Sequence, residues 1–215
     1  ELLSATAKTV VRVVTGSLPL FNNYIFNFLE FHSHSQKIKI EVDELPVSEV
    51  VSALTESRAS LGILRRCSAQ TLPAHMKWRQ FPLLSDELVM LCHKDHPLAH
   101  VPELSVSDAL SYPLAVLNMG LPEYKGVFSD LGIPHQRAEA INSAVKCTSL
   151  VTLKNFVKDN YGISILASYS ARSLVSSSDI LIREFREHPD FSLVFTVKED
   201  DLKQQAIQQA IGLIV

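Results

Sequence analysis

The chain has 215 residues, 47% of them hydrophobic and 20% charged, with a formal net charge of -3 at pH 7. That is enough apolar material for one large core or two small ones, which excludes a disordered chain. It also provides no uniform positive field, which excludes this chain itself as a broad nucleic-acid grip, and no apolar run approaches the roughly 20 residues that span a bilayer.

In chain order, Val10 to Thr15 is a β-branched run that ends at Gly16-Ser17-Leu18-Pro19, which reads as a strand followed by a helix start with Ser17 as N-cap. Phe21, Tyr24, Ile25, Phe28 and Leu29 recur at helical spacing through about His34. Lys37 to Asp43 alternates, with Ile38, Ile40 and Val42 on one side, and predicts a half-exposed strand. Val47, Val50, Val51 and Leu54 then mark one face of a second helix ending near Ser57, before a short strand over Leu61 to Leu64. The resulting alternation of strands and helices favours parallel pairing by right-handed crossovers.

Leu88 to His93 is an apolar strand that halts in the turn Asp95-His96-Pro97, and a comparable run, Leu193 to Asp200, returns near the far end. Two strands passing between the same two lobes make a hinge, which suits a small-molecule cleft between α/β lobes. Between them the pattern restarts. Ser105 to Leu110 reads as a short helix, Pro113 to Leu117 as a strand, and Pro122 to Leu131 as a helix closed by Gly132-Ile133-Pro134. Arg137 to Cys147 predicts a further strand and Ser149 to Asn160 a helix with Leu150, Leu153, Phe156 and Val157 inward. Gly162 to Ala167 predicts another strand, Leu174 to Asp179 a polar loop, and Leu202 to Val215 a final helix.

The chemistry-bearing residues are sparse. The motif of a nucleophile elbow, a zinc-protease helix or a phosphate loop is not found, so no enzyme is expected. Asp86 and Glu87 are adjacent on a strand and point to opposite faces, which argues against an acid/base pair. Neither a metal nor a cofactor is expected: of His32, His34, His93, His96 and His100, the first two fall at a helix end and His96 in a turn before proline. Cys67, Cys92 and Cys147 form no disulfide or metal pattern, which together with the lack of a signal peptide points to the cytoplasm. Cys147, beside a helix start, reads as a packed thiol in preference to a redox sensor. The chain opens at Glu1 and not at methionine, which suggests a fragment of something longer.

Three stretches resemble the effector-binding domain of LysR-type transcriptional regulators, and the resemblance covers nearly the whole chain. They are Asp95-His96-Pro97-Leu98-Ala99 followed by Leu104 to Leu114, then Thr148 to Leu153 with Gly162 to Ala167, and Leu61 to Arg65. This chain departs from the usual pattern in having Ser60 in place of an aspartate and Ala167 in place of a proline. The resemblance implies the α/β fold of type 2 periplasmic binding proteins: two Rossmann-like lobes joined by two crossover strands, with a ligand cleft between them. The expected first lobe is residues 1–92 with 195–215 and the second 93–194. An N-terminal winged helix-turn-helix domain would lie outside this fragment.

In such folds the ligand sits outside the carboxyl ends of the strands, where loops open onto helix N-termini that favour an anion. The expected ligand-binding residues are therefore Thr15, Gly16, Ser17 and Leu18 after the first strand, with Arg65 and Arg66 after Leu64. Across from them come Asn118, Met119 and Gly120, and Thr148 with Ser149. Ser17 and Ser149 as plain helix caps, worth about 1 kcal/mol each, and Arg65 and Arg66 as solvated or surface-paired cations, are the competing structural readings. The resemblance further implies a small, anionic effector, a homodimer or homotetramer, DNA contact only through the missing N-terminal domain, and no membrane. Pairing in the family uses a helix and strand of the first lobe, for which the Val47, Val50, Val51, Leu54 face or the first helix is available. A free-standing solute-binding protein of a transporter is the alternative with the same fold.

Overall fold

The computed structural model describes residues 9–16, 38–117, 131, 133, 143–147, 149–175 and 178–212. The helices expected over 21–34 and 122–131, the first part of the strand expected over 137–147, and residues 213–215 lie largely outside these. The chain forms two compact units, Glu1–Leu84 with Leu193–Val215, and Ser85–Ser192. It passes from the first to the second inside one long strand and returns inside another.

In the first unit, β1 (Thr9–Thr15) pairs in parallel with β2 (Ile38–Glu44) and with β3 (Leu61–Arg65), the latter in the register Val13 to Leu61 and Thr15 to Ile63. Strand β9 (Asp190–Lys198) lies antiparallel on β3, Leu61 opposite Val197, so the sheet order is β2-β1-β3-β9. Helix α1 (Val47–Thr55) turns Val50, Ala53 and Leu54 onto this sheet, where Val14, Leu64 and Val194 meet them. Burying a leucine of this kind contributes about 1.5–3 kcal/mol. Val50 and Leu54 are buried in their own unit, while Val51 is half-buried. The close approach of α1 depends on Gly62: a Cβ there would lie 2.5 Å from Leu54 Cδ1. The C-terminus of α1 is held by Lys198, whose Nζ donates to the Thr55 carbonyl and to Ser57 Oγ, both at 2.8 Å, a cation where the helix dipole favours one. Helix α2 (Arg66–Ala69) follows β3 directly, and a 3-10 turn (Asp201–Lys203) leads into α6 (Gln205–Ile211), whose Ile207, Ala210 and Ile211 are buried.

In the second unit, β4 (Trp78–His93), which begins in the first, pairs antiparallel with β7 (Ile163–Ala167) and on its other side with β8 (Ile180–Glu184). Strand β5 (Leu114–Leu117) lies parallel to β7 and to β6 (Ser143–Cys147). Helix α4 (Leu150–Lys158) buries Leu153 and Val157 against Val89, Leu91, Ala115 and Leu166. The short helix α3 (Val106–Ala109) starts in a reciprocal cap: Ser105 Oγ accepts from Asp108 N–H at 3.1 Å while Asp108 Oδ2 accepts from Ser105 N–H at 3.0 Å. Arg183 on β8 ties down the preceding loop by donating to the carbonyls of Leu98, Ala99 and Val101.

Three elements differ from the expectation. The segment after Ala167 forms a helix, α5 (Ser168–Leu174), and the residues past the serine-rich stretch form β8. Strand β4 also starts ten residues before the apolar run that marks it in sequence, at Trp78 and not at Leu88.

Candidate functional site

The parallel register of the first unit places the ends of β1 and β3 side by side. Thr15, 1% exposed, closes β1, and Arg65, 7% exposed, closes β3 two residues beyond the partner of Thr15. Gly16 is buried next to Thr15, and the Thr15 carbonyl accepts from Leu45 N–H at 3.0 Å. Arg66 is exposed and begins α2, so the two arginines have different environments although adjacent in sequence. Thr15, Gly16, Arg65 and Arg66 thus share one carboxyl edge, while Ser17 and Leu18 fall outside the described residues.

In the second unit β5 and β6 end together, Leu117 opposite Cys147. Asn118, Met119, Gly120 and Thr148 lie outside the described residues, which leaves Ser149. Its Oγ accepts from Val151 N–H at 3.2 Å and caps α4, the role expected of a residue in extended conformation before a helix. Cys147 Sγ is 3.7 Å from the Val116 carbonyl, and burial pushes its thiol above the ordinary range against backbone contacts at Ser149 and Leu153. Cys92 is buried in β4 and burial pushes it up to about 11. Neither thiol has the depressed pKa of a reactive cysteine.

Asp86 and Glu87 point apart. Asp86 accepts from Tyr169 N–H at 2.8 Å, and Glu87 meets His188. A surface concavity of about 690 Å³ is lined by His75, Met76, Lys77, Lys198, Glu199, Asp200 and Lys203. Since β9 runs antiparallel to β3, its end at Lys198 lies toward the amino end of β3, on the opposite edge of the sheet from Thr15 and Arg65. Sequence reading did not single this concavity out, because its walls come from two loops more than a hundred residues apart. Lys198 and Lys203 are engaged there, by the end of α1 and by Asp200 at 2.9 Å.

The chain matches the family model for the LysR substrate binding domain over residues 22–215. A search of curated proteins finds no match. Among solved structures it is similar to the regulatory domain of MetR, a LysR family regulator from N. meningitidis, with a TM-score of 0.77 and 17% identity over 96% of this chain and 92% of that one. It is also similar to a full-length BenM mutant, with a TM-score of 0.75 and 16% identity over 99% of this chain and 68% of that one. HinK, a LysR family transcriptional regulator from Pseudomonas aeruginosa, gives a TM-score of 0.72 and 16% identity over 99% and 71% of the two chains. At these identities the likeness is one of fold.

Proposed function

The chain belongs to the LysR substrate-binding domain family, and we propose that it is the effector-sensing part of a bacterial LysR-type transcriptional regulator, responding to a small anionic metabolite through the loops that follow its strands. The fold is the type 2 periplasmic-binding-like α/β fold, shared with free-standing solute-binding proteins, but the family match favours the regulator. The observation that carries the reading is the pair Thr15 and Arg65, both buried, at the carboxyl ends of adjacent parallel strands. A hydroxyl and a guanidinium on one sheet edge suit a carboxylate or sulfate, since the guanidinium fork can bind two oxygens at once. Within the second unit, Ser149 caps the N-terminus of α4, an element that favours an anion.

The role is sensing, not catalysis. Effector binding must favour one arrangement of the regulator over another by differential affinity, because a ligand that binds both equally shifts nothing. In the proposed whole regulator the shift passes through a homodimer or homotetramer to an N-terminal winged helix-turn-helix domain that contacts DNA, in the cytoplasm. This chain covers 68% of the full-length BenM mutant. Among the described residues no helix is long and apolar enough to cross a membrane.

The test is a thermal-shift screen followed by calorimetry against small carboxylates, sulfate and neutral metabolites. An anion stabilises the wild type by RT ln(1 + [L]/Kd), about 2.7 kcal/mol at a hundredfold excess over Kd, and so raises its melting temperature. Thr15→Val and Arg65→Met abolish that response. A screen in which acids and neutral compounds alike leave the protein unmoved, or an Arg65→Met variant that responds as the wild type does, overturns the reading.

A further inference from the structure

Three side chains from separate stretches of the second unit converge: Glu87 on β4, Glu184 at the end of β8, and His188 in the turn before β9. One oxygen of each carboxylate and one ring nitrogen all lie within 4.8 Å of one another, and His188 Nδ1 is 2.9 Å from Glu87 Oε2. The backbone accounts for the convergence. Val89 pairs with Glu184 across antiparallel β4 and β8, so Glu87, two residues before Val89, projects from the same face as Glu184. The chain then turns back. His188 N–H donates to the Phe185 carbonyl at 3.0 Å, and Leu88 N–H to the Pro189 carbonyl at 2.9 Å, which returns His188 to the side of Glu87 with a left-handed φ of 42°.

We propose that Glu87, Glu184 and His188 form a binding site for one divalent first-row metal ion of the zinc or manganese class. Two carboxylates and an imidazole are a ligand set such ions accept, with the remaining positions filled by water. Donors at about 2.0–2.2 Å from a shared tetrahedral ion lie about 3.3–3.6 Å from each other, so the spread of up to 4.8 Å closes with a movement of about 1–1.5 Å in the widest pair. Glu184 and His188 are exposed and free to make that shift, while the half-buried Glu87 anchors the site. Charge points the same way. Two carboxylates face one imidazole, and the neighbouring cations have other partners: Arg186 lies 3.5 Å from Glu187, and Arg183 is held by three carbonyls. The competing reading is a surface histidine–glutamate pair with a second glutamate nearby, and exposed pairs of that kind are weak. A bound ion would pin β4 to the segment leading into β9, the two strands by which the chain enters and leaves this unit. The site is independent of the effector reading and shares no residue with it.

Calorimetric titration of the full chain, first stripped with a chelator and then dialysed, with Zn²⁺ and separately with Mn²⁺ tests the site. One ion binds per chain. Loss of a coordinating residue weakens binding by at least the roughly 10–100-fold that loss of an outer-shell partner causes, so Glu184→Gln and His188→Asn each reduce the affinity by tenfold or more. Asparagine tolerates the left-handed backbone at 188, and unchanged melting of both variants without metal shows that the fold is intact. Mn²⁺ broadens the amide resonances of Glu87, Glu184 and His188 before those of His93 and Asp95. No binding to the wild type, affinity within about twofold in both variants, or broadening centred elsewhere overturns the proposal.

Discussion

Replacing Gly62 by alanine tests how β3, which carries Arg65, is seated beneath α1. The new Cβ would stand 2.5 Å from Leu54 Cδ1 and 3.3 Å from Cδ2 and Cγ, against about 3.5–4.0 Å for carbons in comfortable contact. Leu54 is 1% exposed and cannot swing into solvent, so α1 or the leucine must shift. Overpacking of this kind costs about 1–3 kcal/mol, offset by at most about 1 kcal/mol from the reduced freedom of the unfolded chain. We expect a net loss of about 1–2 kcal/mol. Leu54→Ala alone removes the obstacle and leaves a cavity, at about 2–5 kcal/mol. In the double variant the alanine at 62 occupies part of that cavity, so the combined loss falls short of the sum by about 0.5–3 kcal/mol. Urea unfolding followed by fluorescence reads this unit directly, because the single tryptophan, Trp78, packs against the cluster that contains Leu54. Additivity of the two losses to within about 0.3–0.5 kcal/mol would refute the argument.

Two other expectations follow from buried polar groups. Thr196 is fully buried on β9 opposite Gly62, and among the described residues its Oγ1 has no hydrogen-bond partner. Thr196→Val, which exchanges an unsatisfied hydroxyl for a methyl of similar size, is neutral or stabilising by about 1 kcal/mol in the same urea assay, and a loss of that size would show the hydroxyl to be satisfied in solution. His96 is buried edge-on to Tyr112, and its Nδ1 accepts from Leu98 N–H at 3.2 Å. Burial first, and then the nearby His93, lower its pKa from 6.5. The folded form therefore binds this proton less readily than the unfolded chain. The stability it contributes is complete above about pH 6.5 and is lost as pH falls through that value toward the lower folded pKa. His96→Asn, which keeps an acceptor and does not titrate, shows a shallower fall in urea midpoint below pH 6.5 than the wild type; parallel pH profiles would rule out a buried neutral imidazole.

The parts of this protein that the chain states locally are those whose residues repeat with a period. Val10 to Thr15, the alternation from Ile38 to Val42, and the helical spacing of Val47, Val50, Val51 and Leu54 each declare an element within a few residues, because backbone geometry alone sets those periods. The edge that gathers Thr15 with Arg65 was legible for the same reason: strand, helix and strand in succession demand a parallel pair whose carboxyl ends coincide. Other features were not. Pro82 and the exposed positions around it disguise the first half of β4, which lies beside β9, more than a hundred residues away in the chain. Helix α5 opens at Ala167 with no side-chain cap and has no clear apolar stripe, and β8 is five residues long; both are held by packing on β4 and β7 more than by intrinsic preference. Glu87, Glu184 and His188 show the limit most plainly. Nothing in their local sequence relates them, and only the antiparallel register of β4 with β8 and the turn back toward Leu88 put a nitrogen and two carboxylates within reach of one ion.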